Sequence, residues 1–127
     1  GHFYFRDNYY TDSGIYAALK MMKLISFDLL KGIKFSNIVT PLRKYFHSGE
    51  INSVVDDPDT IIKQIEEKYS DGLDISHLDG IRIEYSDWWF NVRKSNTEPK
   101  LRLIVEAKTK DVMDEKVKEL LGMIRGE

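Results

Sequence analysis

The sequence predicts an α+β fold: a small, mostly antiparallel four-stranded sheet with helices on one face, formed by residues 48–127. Three observations carry this prediction. Stretches near residues 80–107 alternate apolar and polar residues with the period of a half-buried strand. Two stretches flanking them repeat apolar residues at helical spacing. Residues 1–47 supply one strand and one or two helices, which cannot cover each other's apolar faces. That first part reads as the tail of a truncated α/β domain, with the boundary at residues 47–48.

Taken in order, "HFYFRD" (2–7) is aromatic, short and of high β propensity. Asp12 or Ser13 can cap a helix whose apolar face is Ile15, Leu19, Met22 and Leu29. Lys31-Gly32 suits its end, a cation followed by a residue free to take positive φ. A second helix starts at Ser36, and Pro41, past its first turn, predicts a kink or an early break. "EINSVV" (50–55) reads as a strand. Asp57 then caps a helix with Pro58 at its first position and Ile61, Ile62, Ile65 and Tyr69 facing inward. "LDISHLDG" is a loop or a short extra pairing. "GIRIEYS" (80–86), "WWFNVR" (88–93) and "KLRLIVEA" (100–107) are strands, with Trp88 and Phe90 on one face and Trp89 on the other. A last helix over about 110–125 turns Val112, Met113, Val117, Leu120, Leu121 and Ile124 inward.

Composition narrows the function classes. Of 127 residues 42% are apolar, enough for a core, and 19 basic against 21 acidic side chains give a net charge of -2. That balance argues against a dedicated nucleic-acid or anionic-membrane binder. Without cysteine there are no disulfides or thiolate metal sites, which is compatible with a cytoplasmic setting. No apolar run approaches the ~20 residues of a membrane-spanning helix. The chain begins directly in strand-like sequence, as expected of a fragment.

The chemistry-bearing stretch is the connector in "NVRKSNTEPKLR" (91–102). Arg93 offers a planar fork matched to phosphate or carboxylate oxygens. Ser95, Asn96 and Thr97 add short donors, and backbone N–H groups in such a turn form anion-binding nests. Arg102, two strand positions past Lys100, returns a second guanidinium. On the residues alone two readings fit: a grip for a dianionic group, or a plain hairpin turn written in common turn residues. His2 is a candidate proton-transfer group or a surface residue. His47 and His77 lack partners at ligand spacing, and the acidic run 56–59 lacks the pattern of a calcium loop, so no metal site is expected. "WWF" beside arginine and lysine admits a rival reading, a small single-stranded nucleic-acid-binding α+β module.

Three segments in register resemble the α-D-phosphohexomutase superfamily, the phosphomannomutase/phosphoglucomutase enzymes. "RKSNTEPKLRLIVEA" (93–107) is similar to the phosphate-binding loop of the family's fourth domain. "GHFYFRDNYYTDSG" (1–14) is similar to the sequence after the sugar-recognition loop of the third, of which Gly1-His2 are present. "LRKYFHSGEIN" (42–52) looks like the join between them. The resemblance implies that residues 1–47 end domain three and 48–127 form domain four. It implies that Arg93, Ser95, Asn96, Thr97 and Arg102 hold the non-transferring phosphate of a hexose phosphate, with His2 near the reacting oxygen. It further implies interconversion of hexose 1- and 6-phosphates through a glucose or mannose 1,6-bisphosphate and a phosphoserine, supported by Mg2+. The serine and the magnesium site would lie in domains 1–3 of the same polypeptide, so this chain alone is expected to be inactive. Asn96 tilts the resemblance toward a phosphomannomutase or phosphoglucomutase rather than a phosphoglucosamine-type mutase.

Overall fold

The structure, a computed structural model, describes residues 2–126 and divides into two compact units after Arg43. In the first unit the aromatic run forms no strand. Tyr4 makes an isolated bridge to Asp12, and Arg6–Asn8 is one 3-10 turn followed by Tyr9 and Tyr10 at φ 51° and 54°. Two consecutive left-handed residues fold the chain back before a ladder can extend, so β propensity gives way to a turn. Helix α1 (Gly14–Leu30) starts where Ser13 Oγ accepts the Tyr16 N–H at 3.2 Å, and ends at Lys31 with Gly32 at φ 79°. Helix α2 (Phe35–Val39) gives way to a 3-10 turn, Thr40–Leu42, at Pro41, the early break that proline predicts. Among the described residues of this unit none is buried. The expected inward face is exposed instead, with Ile15, Leu19 and Met22 each more than half accessible.

The second unit is built on one antiparallel sheet. Strands β1 (Phe46–His47) and β2 (Ile51–Val54) pair successively along β6 (Lys100–Ala107); β6 pairs β5 (Trp88–Lys94), β5 pairs β4 (Ile81–Glu84), and β4 pairs β3 (Asp74–Ser76). The four expected strands are the long ones, and two short edges complete six. Because β1 pairs with β6, residues 44–47 belong to the second unit, and the division falls earlier than the expected 47–48.

Helix α3 (Pro58–Lys68) is capped by Asp57, whose carboxylate accepts the Thr60 N–H at 3.1 Å. Helix α4 (Lys110–Arg125) is capped by Thr109. Alternation sends Ile81, Ile83, Phe90, Val92, Leu101, Leu103 and Val105 to one face, all essentially inaccessible, where Ile65, Tyr69, Leu120 and Ile124 of the helical layer meet them. Each such side chain contributes about 1.5–3 kcal/mol of burial. Tyr69 stands edge-on to Phe90 and Trp88, and Trp88 stacks on Tyr85. The other face is left open and carries mostly polar side chains, with Val54, Trp89 and Ile104 among them. Among the described residues no helix is long and apolar enough to cross a membrane.

Candidate functional site

Register decides what the open face presents. Arg93 on β5 lies directly opposite Arg102 on β6, and Ser95 N donates to Lys100 O at 2.9 Å to close the hairpin below the loop 95–99. Like charges directly across a ladder repel. Here acidic groups separate them. Arg93 Nη2 donates to Glu50 Oε2 at 3.2 Å and Arg102 Nη1 lies 3.5 Å from Glu50 Oε1. Arg93 Nη1 donates to Asp79 Oδ2, also at 3.2 Å. Arg102 Nη2 donates to Ser95 Oγ at 3.4 Å, and Ser95 Oγ lies 3.5 Å from Thr97 Oγ1.

The cluster is accessible yet held. The Arg93, Glu50 and Arg102 side chains are 33%, 35% and 31% exposed, so a ligand can reach them without the strands opening. The Arg93 guanidinium first, with Arg102 behind it, holds the Glu50 carboxyl below the usual carboxylate range despite its partial desolvation. Arg102 Nε is buried with no hydrogen-bond partner among the described residues. Gly80 turns the chain that carries Asp79 to Arg93. It sits at φ 74°, and a Cβ there would lie 2.3 Å from Val92 O and 2.6 Å from Arg93 Cα. Asn91 Nδ2 fastens the same turn, donating to Asp79 O at 2.9 Å.

Of the residues singled out from sequence, Arg93, Ser95, Thr97 and Arg102 therefore meet at one end of the open face. Asn96 is exposed on the same loop and makes no side-chain hydrogen bond among the described residues. His2 belongs to the first unit, where its Nδ1 lies 2.5 Å from Asp12 Oδ2 while Asp12 Oδ1 accepts the Phe3 N–H at 2.9 Å. The His2 hydrogen bond is the main cause of a lowered Asp12 pKa. His47 Nδ1 accepts the Gly49 N–H, and His77 pairs with Glu66 at 2.8 Å.

Glu50 and Asp79 were not foreseen. Strand parity with Ile51 inward would have placed Glu50 on the open face, but its meeting with both arginines depends on the β2–β6 register. At the other end of that face Arg82 stacks 4.9 Å from the Trp89 ring, and Trp89 Nε1 donates to Glu106. Trp88 and Phe90 are core, which leaves the open face one tryptophan for base stacking.

Residues 50–122 match the family model described as phosphoglucomutase/phosphomannomutase, C-terminal domain. Over 123 residues the chain is 39% identical to a protein named phosphomannomutase from Methanocaldococcus jannaschii, covering 97% of this chain and 26% of that one. A Vibrio cholerae protein of the same name is 41% identical over 127 residues, 98% of this chain and 27% of its own. The chain thus spans about a quarter of the length of the curated relatives it matches. A crystal structure of a phosphoglucomutase/phosphomannomutase family protein from Burkholderia thailandensis shares the fold, with a TM-score of 0.67 at 22% identity over 98% of this chain and 27% of that one. The match across 50–122, which takes in Glu50, the Arg93–Thr97 loop and Arg102, shows that the chain belongs to the phosphoglucomutase/phosphomannomutase family.

Proposed function

We propose that the chain supplies the phosphate grip of a phosphomannomutase or phosphoglucomutase, holding the non-transferring phosphate of a hexose phosphate while another part of the protein carries out phosphoryl transfer. One observation carries this reading: Arg93 and Arg102 stand side by side on an accessible sheet face with Ser95 and Thr97 beside them. Two guanidiniums so placed match the several oxygens of one phosphate, with hydroxyls and loop N–H groups to complete the shell.

The grip need not read sugar stereochemistry. In a reaction that interconverts 1- and 6-phosphates through a 1,6-bisphosphate, the held phosphate is at one end of the hexose and then at the other. Charge and short donors serve both. Binding energy at this remote end positions the reacting end. Within the first unit, Asp12 holds His2 by Nδ1 and leaves Nε2 as the atom that would exchange a proton with a sugar hydroxyl. Residues 1–43 would be the end of the third domain, and the exposed face of α1 would be covered by the remainder of it. Among the described residues no three His, Cys, Asp or Glu side chains gather as a metal site, so these residues do not fit a magnesium ion.

Calorimetric titration with glucose 1,6-bisphosphate tests the reading. The chain is expected to bind weakly, and Arg93→Ala to weaken binding by about 10- to 100-fold, the worth of a charged hydrogen bond, without change in the circular dichroism spectrum. Equal affinity in the variant would refute the grip. No hexose phosphate isomerisation is expected from the 127-residue chain; robust turnover would refute the division of labour.

A further inference from the structure

The arginine pair already holds an anion. Glu50 lies between both guanidiniums, at 3.2 Å from Arg93 and 3.5 Å from Arg102, with Asn52 Nδ2 at 3.5 Å on its Oε1. Asp79 takes the remaining Nη of Arg93. Two positive and two negative side chains therefore make up the cluster, and its formal charge is zero. An arriving phosphate meets no net attraction from it. Both Nη groups of Arg93 are engaged by carboxylates, so a phosphate takes those hydrogen bonds only at a carboxylate's expense.

We propose that Glu50 is a resident counter-ion that makes capture an exchange, carboxylate for phosphate, and so selects phosphate monoester dianions over monoanions. The inference rests on the phosphate reading of the same site and adds to it a selectivity device. A tethered carboxylate competes at high effective concentration, without the loss of translational freedom that a free ligand incurs. A free monoanion offers the arginines the same charge as Glu50 and loses the competition. A monoester dianion offers a second charge and a third acceptor oxygen, and displaces it.

The position of Glu50 suits a group that must leave. It precedes β2 in the connector after β1, on the open face, and only about two-thirds of its side chain is covered. Its carboxyl, held below the usual range by the arginines, is ionised at neutral pH. It also keeps the cross-strand pair Arg93 and Arg102 from repelling each other while the site is empty.

Amide chemical shifts of Arg93–Thr97 in the 127-residue chain and in Glu50→Gln, both at pH 7.5, test the exchange. The probes are glucose 1-phosphate, a monoester dianion at this pH, and dimethyl phosphate, a permanent monoanion. Wild type is expected to bind the dianion and to show no shift with the monoanion. Glu50→Gln is expected to bind the dianion about tenfold tighter, the effect of removing one competing charge, and to bind dimethyl phosphate measurably. Dianion binding that is unchanged or weaker in Glu50→Gln would overturn the exchange and make Glu50 a support for the arginines. If neither chain responds to glucose 1-phosphate at tens of millimolar, the phosphate reading itself fails and the exchange with it. Should Glu50→Gln lose its dispersed amide spectrum, Glu50→Asp decides. The retained charge keeps the fold while the shorter reach loosens the bridge, so tighter dianion binding supports exchange and unchanged binding overturns it.

Discussion

Residues 2–43 and 44–126 are both rich in apolar side chains at helical spacing, yet only the second unit buries any of them completely. Helix α1 is well capped and regular, and its apolar residues remain accessible. Helices α3 and α4 are no more apolar, but a six-stranded sheet lies under them. Capping and periodicity make a helix; an opposing layer makes a core. A functional site inherits that difference. The arginine pair is held in place because β5 and β6, the strands that carry it, are anchored on their far face by Phe90, Val92, Leu101, Leu103 and Val105, all inaccessible.

The contrast can be broken by substitution. The largest effect is expected from Phe90→Ala, at the centre of the sheet, which should cost about 3–5 kcal/mol in urea unfolding and abolish the cooperative transition if the unit is marginal. Gly80→Ala comes next, at about 2 kcal/mol or more, because an alanine there needs both a left-handed backbone and room that Val92 and Arg93 fill. It should also shift the Arg93 and Ser95 amide signals, which links the turn to the site.

Glu119→Gln follows. Salt-bridged first by Lys68 and then by Lys116, Glu119 has its carboxyl lowered from 4.5 to about 2. Its contribution is therefore present above pH ~4.5 and lost as the pH falls toward 2. Wild type and variant should differ by on the order of 1 kcal/mol at pH 7, discounted for screening, and converge only as the pH falls through 2. The smallest effect is expected from Leu19→Ala on α1, within about 0.5 kcal/mol. A loss there comparable to Phe90→Ala would erase the distinction between the units.

How far this was legible in the sequence follows the same line. β4, β5, β6, α3 and α4 were readable because each pairs a clear period with a cap or turn residue, and the layer they form supports them. The "HFYFRD" strand was not, since aromatic composition signals a strand only where a neighbour completes the ladder. Residues 46–47 were unreadable as a strand for a related reason: two residues carry no period, and their pairing with β6 is a long-range fact. At the site, Arg93, Ser95 and Thr97 were visible as a local motif. Glu50 was not, because it reaches Arg93 from 43 residues away in sequence and meets it only through the register of β2 and β5 on the shared neighbour β6.

The most direct test of the phosphate grip is a crystal structure of the chain with glucose 1,6-bisphosphate bound. One phosphate is expected with oxygens within hydrogen-bond distance of the Arg93 and Arg102 guanidiniums and the Ser95 and Thr97 hydroxyls, and Glu50 turned away from both arginines. A phosphate bound elsewhere, for instance beside Arg82 at the other end of the open face, with the Arg93–Glu50 pair intact, would contradict the grip.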